Sequence, residues 1–299
     1  MTYLVNIIGA GNVGKTIGHL LVKNGIAKIG AVQSTTEENA RKAIDFIGEG
    51  KFFQDLNNLP QADITFITTP DDHISETCLK YSNYFKPGSI IIHCSGSLTS
   101  DILSSAKKKD CSIISVHPMR SFAKPDMSVL QYNGTFCAIE GDANIMSVIS
   151  ALFESFGSIT YTINKEKKAF YHTAGVFASN YLVTLSKQAS LCMKEAGVED
   201  EMAMKIITSI MKGTVNNLEK TLSPEQSLTG PIQRGDISTI KNHMTALANN
   251  SEQSELYSVL GKATLKVANH GEHKRKAIEK TLTREDITEQ SQNFFQAKL

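Results

Sequence analysis

Three groups of residues in this chain have the types and spacing to do chemistry. The first is Gly9-Ala10-Gly11-Asn12-Val13-Gly14, directly after the apolar run Tyr3-Leu4-Val5-Asn6-Ile7-Ile8. A buried strand that turns on one glycine, bares its main chain at a second and packs a helix at a third makes a cradle for a diphosphate. The unpaired amides and partial positive charge of the helix N-terminus complete the cradle. Lys15-Thr16-Ile17-Gly18-His19-Leu20-Leu21-Val22 continues as an amphipathic helix that stops at Asn24-Gly25, so strand, turn and helix follow the order a dinucleotide fingerprint requires.

The second group lies at strand ends, because ligands of open α/β sheets bind beyond the carboxyl ends of the strands. Thr68-Thr69-Pro70 is expected to line the cofactor, and Ser95-Gly96-Ser97 and His117-Pro118 the substrate side. Strand two ends in Gln33-Ser34-Thr35-Thr36, with no acid before Glu37. A carboxylate there would grip the ribose hydroxyls of NAD and repel a 2′-phosphate. Hydroxyls and amides accept one, so NADP is favoured and NAD is possible, with Arg41 or Lys42 as added charge.

The third group is C-terminal. On a helix expected over 166–196, His172, Ser179 and Asn180 are spaced seven and eight residues apart, which places them on one face. Helix-to-helix hydrogen bonding is the plain reading of that face; the floor of a catalytic cleft is the sharper one. The loop Leu228-Thr229-Gly230-Pro231-Ile232-Gln233-Arg234-Gly235-Asp236 supplies Arg234, which could grip a substrate carboxylate or form a structural ion pair. Asp236 reads as a helix N-cap and His243 as a solvated helix residue.

Elements able to position these groups alternate in the first half. Strands are expected at 28–33, 63–68, 89–94, 111–116, 135–139 and 159–163, with helices between them, which marks a mostly parallel sheet. Beyond Asn164-Lys165-Glu166-Lys167-Lys168 the pattern is helical: 166–196, 199–220, 236–249, 253–270 and shorter helices to the end. The fold class is therefore α/β, a Rossmann-like domain over 1–164 followed by an all-helical domain over 165–299.

With 299 residues and a net charge of +1, the chain is long enough for two cores, and neither nucleic acid nor an anionic membrane is favoured as a partner. Five scattered cysteines without a CxxC pair argue for reduced thiols and a cytoplasmic setting, and against a metal site. The first apolar run reads as a strand and not a signal peptide. The uncharged stretch 169–186 carries too many polar groups to face lipid. Its all-round apolarity suggests a homodimer through the helical half.

Taken together, Gly9–Gly14, Thr69-Pro70-Asp71, His93-Cys94-Ser95-Gly96, His117-Pro118-Met119, Tyr171-His172-Thr173-Ala174, Ala178-Ser179-Asn180-Tyr181 and Leu228–Asp236 resemble a family of bacterial candidate NAD(P)-dependent oxidoreductases. Its members join a Rossmann-like domain to a helical domain of unknown function. The family is similar in architecture to pyrroline-5-carboxylate reductase, ketopantoate reductase and the 3-hydroxyacid dehydrogenases. Two departures stand out: relatives often carry Ser-Arg where this chain has Ser34-Thr35, and Gln where it has Arg120. The resemblance implies hydride transfer between nicotinamide and a small carbonyl or imine compound. His172 would be the proton donor, Ser179 and Asn180 would hold the substrate, and the catalytic lysine of some dehydrogenases would be missing from this helix face. The alternatives are a non-catalytic NADP-binding redox sensor and, less favoured, a methyltransferase, which would need an acid at the end of strand two.

Overall fold

The computed structural model describes residues 2–283. The chain divides into two compact units, Met1–Asn180 and Tyr181–Leu299. The first holds a seven-stranded sheet in the order β2-β1-β3-β4-β5-β6-β7. Its strands are β1 (Tyr3–Ile8), β2 (Ala27–Gln33), β3 (Ile64–Ile67), β4 (Ile90–His93), β5 (Ser112–Pro118), β6 (Thr135–Gly141) and β7 (Ser158–Thr162). All pairings are parallel except β5 with β6, which places Ser115 opposite Glu140.

Neighbouring apolar residues enter opposite faces of this sheet, as the two-residue strand period demands. Ile7, Phe66, Ile92 and Ile114 join one core; Ile8, Ile67, Ile91 and Ile113 join the other. The helices of the unit are α1 (Asn12–Lys23), α2 (Glu37–Ile47), α3 (Asp71–Tyr81), α4 (Ser104–Lys107), α5 (Pro125–Leu130), α6 (Met146–Glu154) and α7 (Lys168–Ala178). Ile17 and Leu21 of α1 and Phe153 of α6 close the first core; Ile74 and Cys78 of α3 close the second.

Unit two is helical: α8 (Asn180–Glu195, whose first residue closes unit one), α9 (Asp200–Thr221), α10 (Pro224–Ser227), α11 (Pro231–Arg234), α12 (Ile237–Ala246), α13 (Ser251–Val267) and α14 (Glu272–Thr283). Ile232, Ile240, Leu265, Ile278 and Leu282 form its core. The stretch expected as one loop over 222–235 contains two short helices, each started by a proline that needs no amide partner there. Any helix expected beyond residue 283 lies outside the described residues.

One expected element is corrected. The helix over 166–196 is two helices, broken at Ser179, whose φ of −120° and ψ of −67° leave helical geometry. Its amide still bonds the Gly175 carbonyl at 3.0 Å, so the break follows the last α7 hydrogen bond.

Candidate functional site

At the carboxyl ends of β1, β2 and β3 the first unit opens a cleft of about 380 Å³. Gly9, Ala10 and Gly11 line it with Ser34, Thr35, Thr68, Thr69 and Pro70, joined by Thr77, Lys80 and Tyr81 from α3. The glycines differ in what fixes them. Gly9 has φ +104°, and a Cβ there would fall 2.5 Å from the Thr69 amide nitrogen. At Gly14 a Cβ would press into the Gly9 carbonyl oxygen and fall 2.6 Å from Thr68 Oγ1. Thr68 Oγ1 itself donates to that carbonyl at 2.6 Å. Gly11 has nothing within 4 Å of its Cβ position, so its bare face opens to whatever fills the cleft.

Gly11 caps α1 without a side chain, and the first turn holds no acid. The first amides of α1 are thus left for an anion. Asn12 spends its side-chain amide on the carbonyls of Phe122 and Ala123, at 2.7 and 3.1 Å. Asn12, Val13 and Gly14 do not line the cleft; they offer main chain only. Thr69 Oγ1 is buried at the wall with no hydrogen-bond partner. An orphaned hydroxyl of this kind fits a ligand that supplies the missing contact.

A second cluster stands at the ends of β4 and β5. His93 is fully buried: Nδ1 accepts from the Ser95 amide at 3.1 Å, and Nε2 donates to the Thr99 carbonyl at 3.2 Å. Burial pulls its pKa down to about 3, with Lys168 adding to the effect, so the ring is neutral. Ser95 Oγ donates to Asp71 Oδ2 at 2.7 Å and accepts from the amides of Ser97 and Leu98. Expected to meet substrate, Ser95 has its hydroxyl engaged in shaping the loop.

That loop presses Gly96 against two histidines. A Cβ at Gly96 would fall 2.5 Å from His172 Cδ2 and 2.8 Å from His117 Nε2. The rings of His117 and His172 lie edge to face, 5.9 Å apart. His117 Nδ1 is 2.9 Å from the Tyr171 hydroxyl. Burial pulls the His117 pKa down to about 4, helped by His172 and Lys168, while burial pushes the Tyr171 phenol up.

Lys168 anchors α7 beneath this cluster. Only 1% exposed, its ammonium lies 2.9 Å from Glu140 Oε1 and also donates to Ser115 Oγ. Glu140 accepts further from the amide and hydroxyl of Ser100, at 2.9 and 2.8 Å. Burial lowers the Lys168 pKa against the opposing pull of Glu140. Lys168, Tyr171 and His172 are spaced i, i+3, i+4, so one face of α7 carries all three. The face that seemed to lack a lysine therefore has one, paired below the histidines.

Other expected residues lie elsewhere. Ser179 and Asn180 are exposed and beyond the α7 break, so helical spacing does not carry them onto the His172 face. Arg234 belongs to the helical unit, largely exposed, 3.8 Å from Asp236. Asp236 caps α12 by accepting from the Thr239 amide, and His243 bonds Tyr257 at 2.8 Å. Arg120, which stands where relatives often carry Gln, folds back over the rings of Phe122 and Tyr132, bonding the Gln131 carbonyl and Thr135. Arg41 and Lys42 are each paired along α2, with Glu37 and Glu38. Residues missed from sequence were Tyr171, Lys168 and Glu140. The one acid within β6, Glu140, was the available signal for itself; Lys168 gave none.

Two family models match the chain. Residues 2–118 match a Rossmann-like domain, and residues 135–264 match a domain of unknown function (DUF2520). The chain joins a Rossmann-like domain to a DUF2520 domain. A Thermotoga maritima protein of known structure is 27% identical, with TM-score 0.69, covering 88% of this chain and 98% of its own. A candidate NADP oxidoreductase from Bacteroides fragilis is 20% identical, with TM-score 0.73 and coverage of 89% and 98%. A variant imine reductase from Myxococcus stipitatus, solved with NAD+, is 16% identical, with TM-score 0.63 and coverage of 95% and 99%. The last two share the fold. No curated protein sequence matches the chain. Among the described residues no helix is long and apolar enough to cross a membrane.

Proposed function

We propose that this protein is an NAD(P)-dependent oxidoreductase, with NADP the favoured cofactor. It would act on a small carbonyl or imine compound that carries a carboxylate. The observation that carries this reading is the glycine-lined cleft with its uncapped helix and orphaned Thr69 hydroxyl. The Bacteroides and Myxococcus structures, an NADP candidate and an NAD+ complex, support it by likeness of fold.

The amides opening α1 and the Gly11 main chain would hold the diphosphate of a dinucleotide, and Ser34 and Thr35 its adenosine end; such a cofactor would supply hydride chemistry there. His172 delivers the proton to the nascent oxygen or nitrogen of the substrate. In this reading the Tyr171 hydroxyl is the donor to His117 Nδ1, which leaves the His117 proton on Nε2, the atom beside Gly96. His117 then acts as a neutral hydrogen-bond donor that orients the substrate. A redox sensor would leave the His117–Tyr171–His172 cluster without a role.

A homodimer formed by helical-unit surfaces belongs to the same reading. Val183, Ile210 and Val215 are 69%, 61% and 50% exposed on α8 and α9. Exposed apolar side chains on these helices are the surface such a dimer would cover. The experiment that tests the activity is a screen of imino, keto and hydroxy acids against cofactor-loaded protein, following reduced-nicotinamide absorbance. Turnover of one class supports the reading; cofactor binding without turnover of any supports the sensor.

A further inference from the structure

We propose that Lys80 is the residue that recognises the 2′-phosphate of the dinucleotide, reaching it across the cleft from Ser34 and Thr35. This rests on the reading of the cleft as a dinucleotide site. The end of β2 supplies no cation of its own. Gln33 turns inward, its amide donating to the Phe53 carbonyl at 2.9 Å. The two cations that follow on α2 are neutralised within their own helix: Arg41 by Glu37, and Lys42 by Glu38 at 2.6 Å.

Lys80 is different in each respect. It lines the same cleft as Ser34 and Thr35 but comes from the last turn of α3. Among the described residues no carboxylate pairs with it. Its ammonium sits 5.6 Å from the centre of the Tyr81 ring, a cation–π contact that holds the side chain against the cleft wall. An unpaired ammonium lining the same cleft as two hydroxyl side chains is a recognition set for a phosphate monoester. The absence of a carboxylate at the end of β2 then has a counterpart on α3: repulsion is removed at one element and attraction supplied from another.

The test compares 2′,5′-ADP with 5′-AMP by calorimetric titration of the full chain. The wild type is expected to bind 2′,5′-ADP about tenfold or more tightly than 5′-AMP, the worth of one charge-assisted contact. Lys80→Ala should cut that preference to about twofold while leaving 5′-AMP affinity unchanged, which also reports that the cleft is intact. Lys80→Arg should keep the preference, and Arg41→Ala and Lys42→Ala should not alter it. A preference that survives in Lys80→Ala, or that disappears in Arg41→Ala or Lys42→Ala, overturns the proposal. Equal binding of both fragments by the wild type overturns it alone; binding of neither overturns it together with the dinucleotide reading.

Discussion

His117 Nδ1 and the Tyr171 hydroxyl oxygen lie 2.9 Å apart, joining the end of β5 to the first turns of α7. This contact ties the orientation of one histidine to a residue next in sequence to the other. Replacing Tyr171 by Phe should release His117 from its single tautomer, seen as a change in its ring ¹⁵N shifts. Turnover on a substrate found by screening should fall up to about tenfold, the worth of one neutral hydrogen bond. Unchanged ¹⁵N shifts would show that Tyr171 does not set the His117 tautomer.

His172→Ala should lower turnover by about 10²–10⁴ with little change in the unfolding midpoint, if His172 is the proton donor. A variant that turns over almost normally but unfolds earlier would make His172 a packing residue held by Gly96 and His117.

Lys168→Met should cost about 3–5 kcal/mol, because it strands the buried Glu140 carboxylate. Adding Glu140→Gln removes that charge and keeps an acceptor for Ser100, so the double variant should regain much of the loss. Urea midpoints measure both. Additive losses would show that the pair is not what holds α7 to the sheet.

Acid should destabilise the first unit in a defined window. His93 and His117 have folded pKa values of about 3 and about 4, below their ordinary 6.5. The unfolded chain therefore binds more protons between those limits, and stability rises with pH there. The contribution is complete above about pH 6.5 and is lost as pH falls toward 4 and then 3, at up to about 1.36 kcal/mol per unit of depression. His93→Gln should flatten the slope of unfolding free energy against pH. An unchanged slope would place the acid sensitivity elsewhere.

The sheet and the diphosphate turn were legible because strands, glycines and turn residues act locally. Gly9 and Gly14 are fixed by neighbours a few ångströms away, and their spacing alone announces the turn. The break at Ser179 was not legible: neither glycine nor proline stands there, and the apolar pattern runs on from α7 into α8. Nor was the burial of Lys168, which ends a charged run whose other members are not buried. Its partner Glu140 is remote in sequence, and the antiparallel entry of β6 that places it opposite Ser115 is a tertiary choice. The same holds for Arg120, whose aromatic neighbours become visible only in the fold.

Dinucleotide binding in this cleft requires a diphosphate to rest against the bare main chain at Gly11. Calorimetric titration of NADP into the wild type and into Gly11→Ala tests it most directly, because a methyl group at that position meets nothing within 4 Å in the protein itself. Saturable binding to the wild type is expected. Gly11→Ala should stay within about 0.5 kcal/mol of wild-type stability and bind NADP at least about tenfold more weakly. Undiminished affinity in Gly11→Ala, or no saturable binding of NADP or NAD by the wild type, would contradict it.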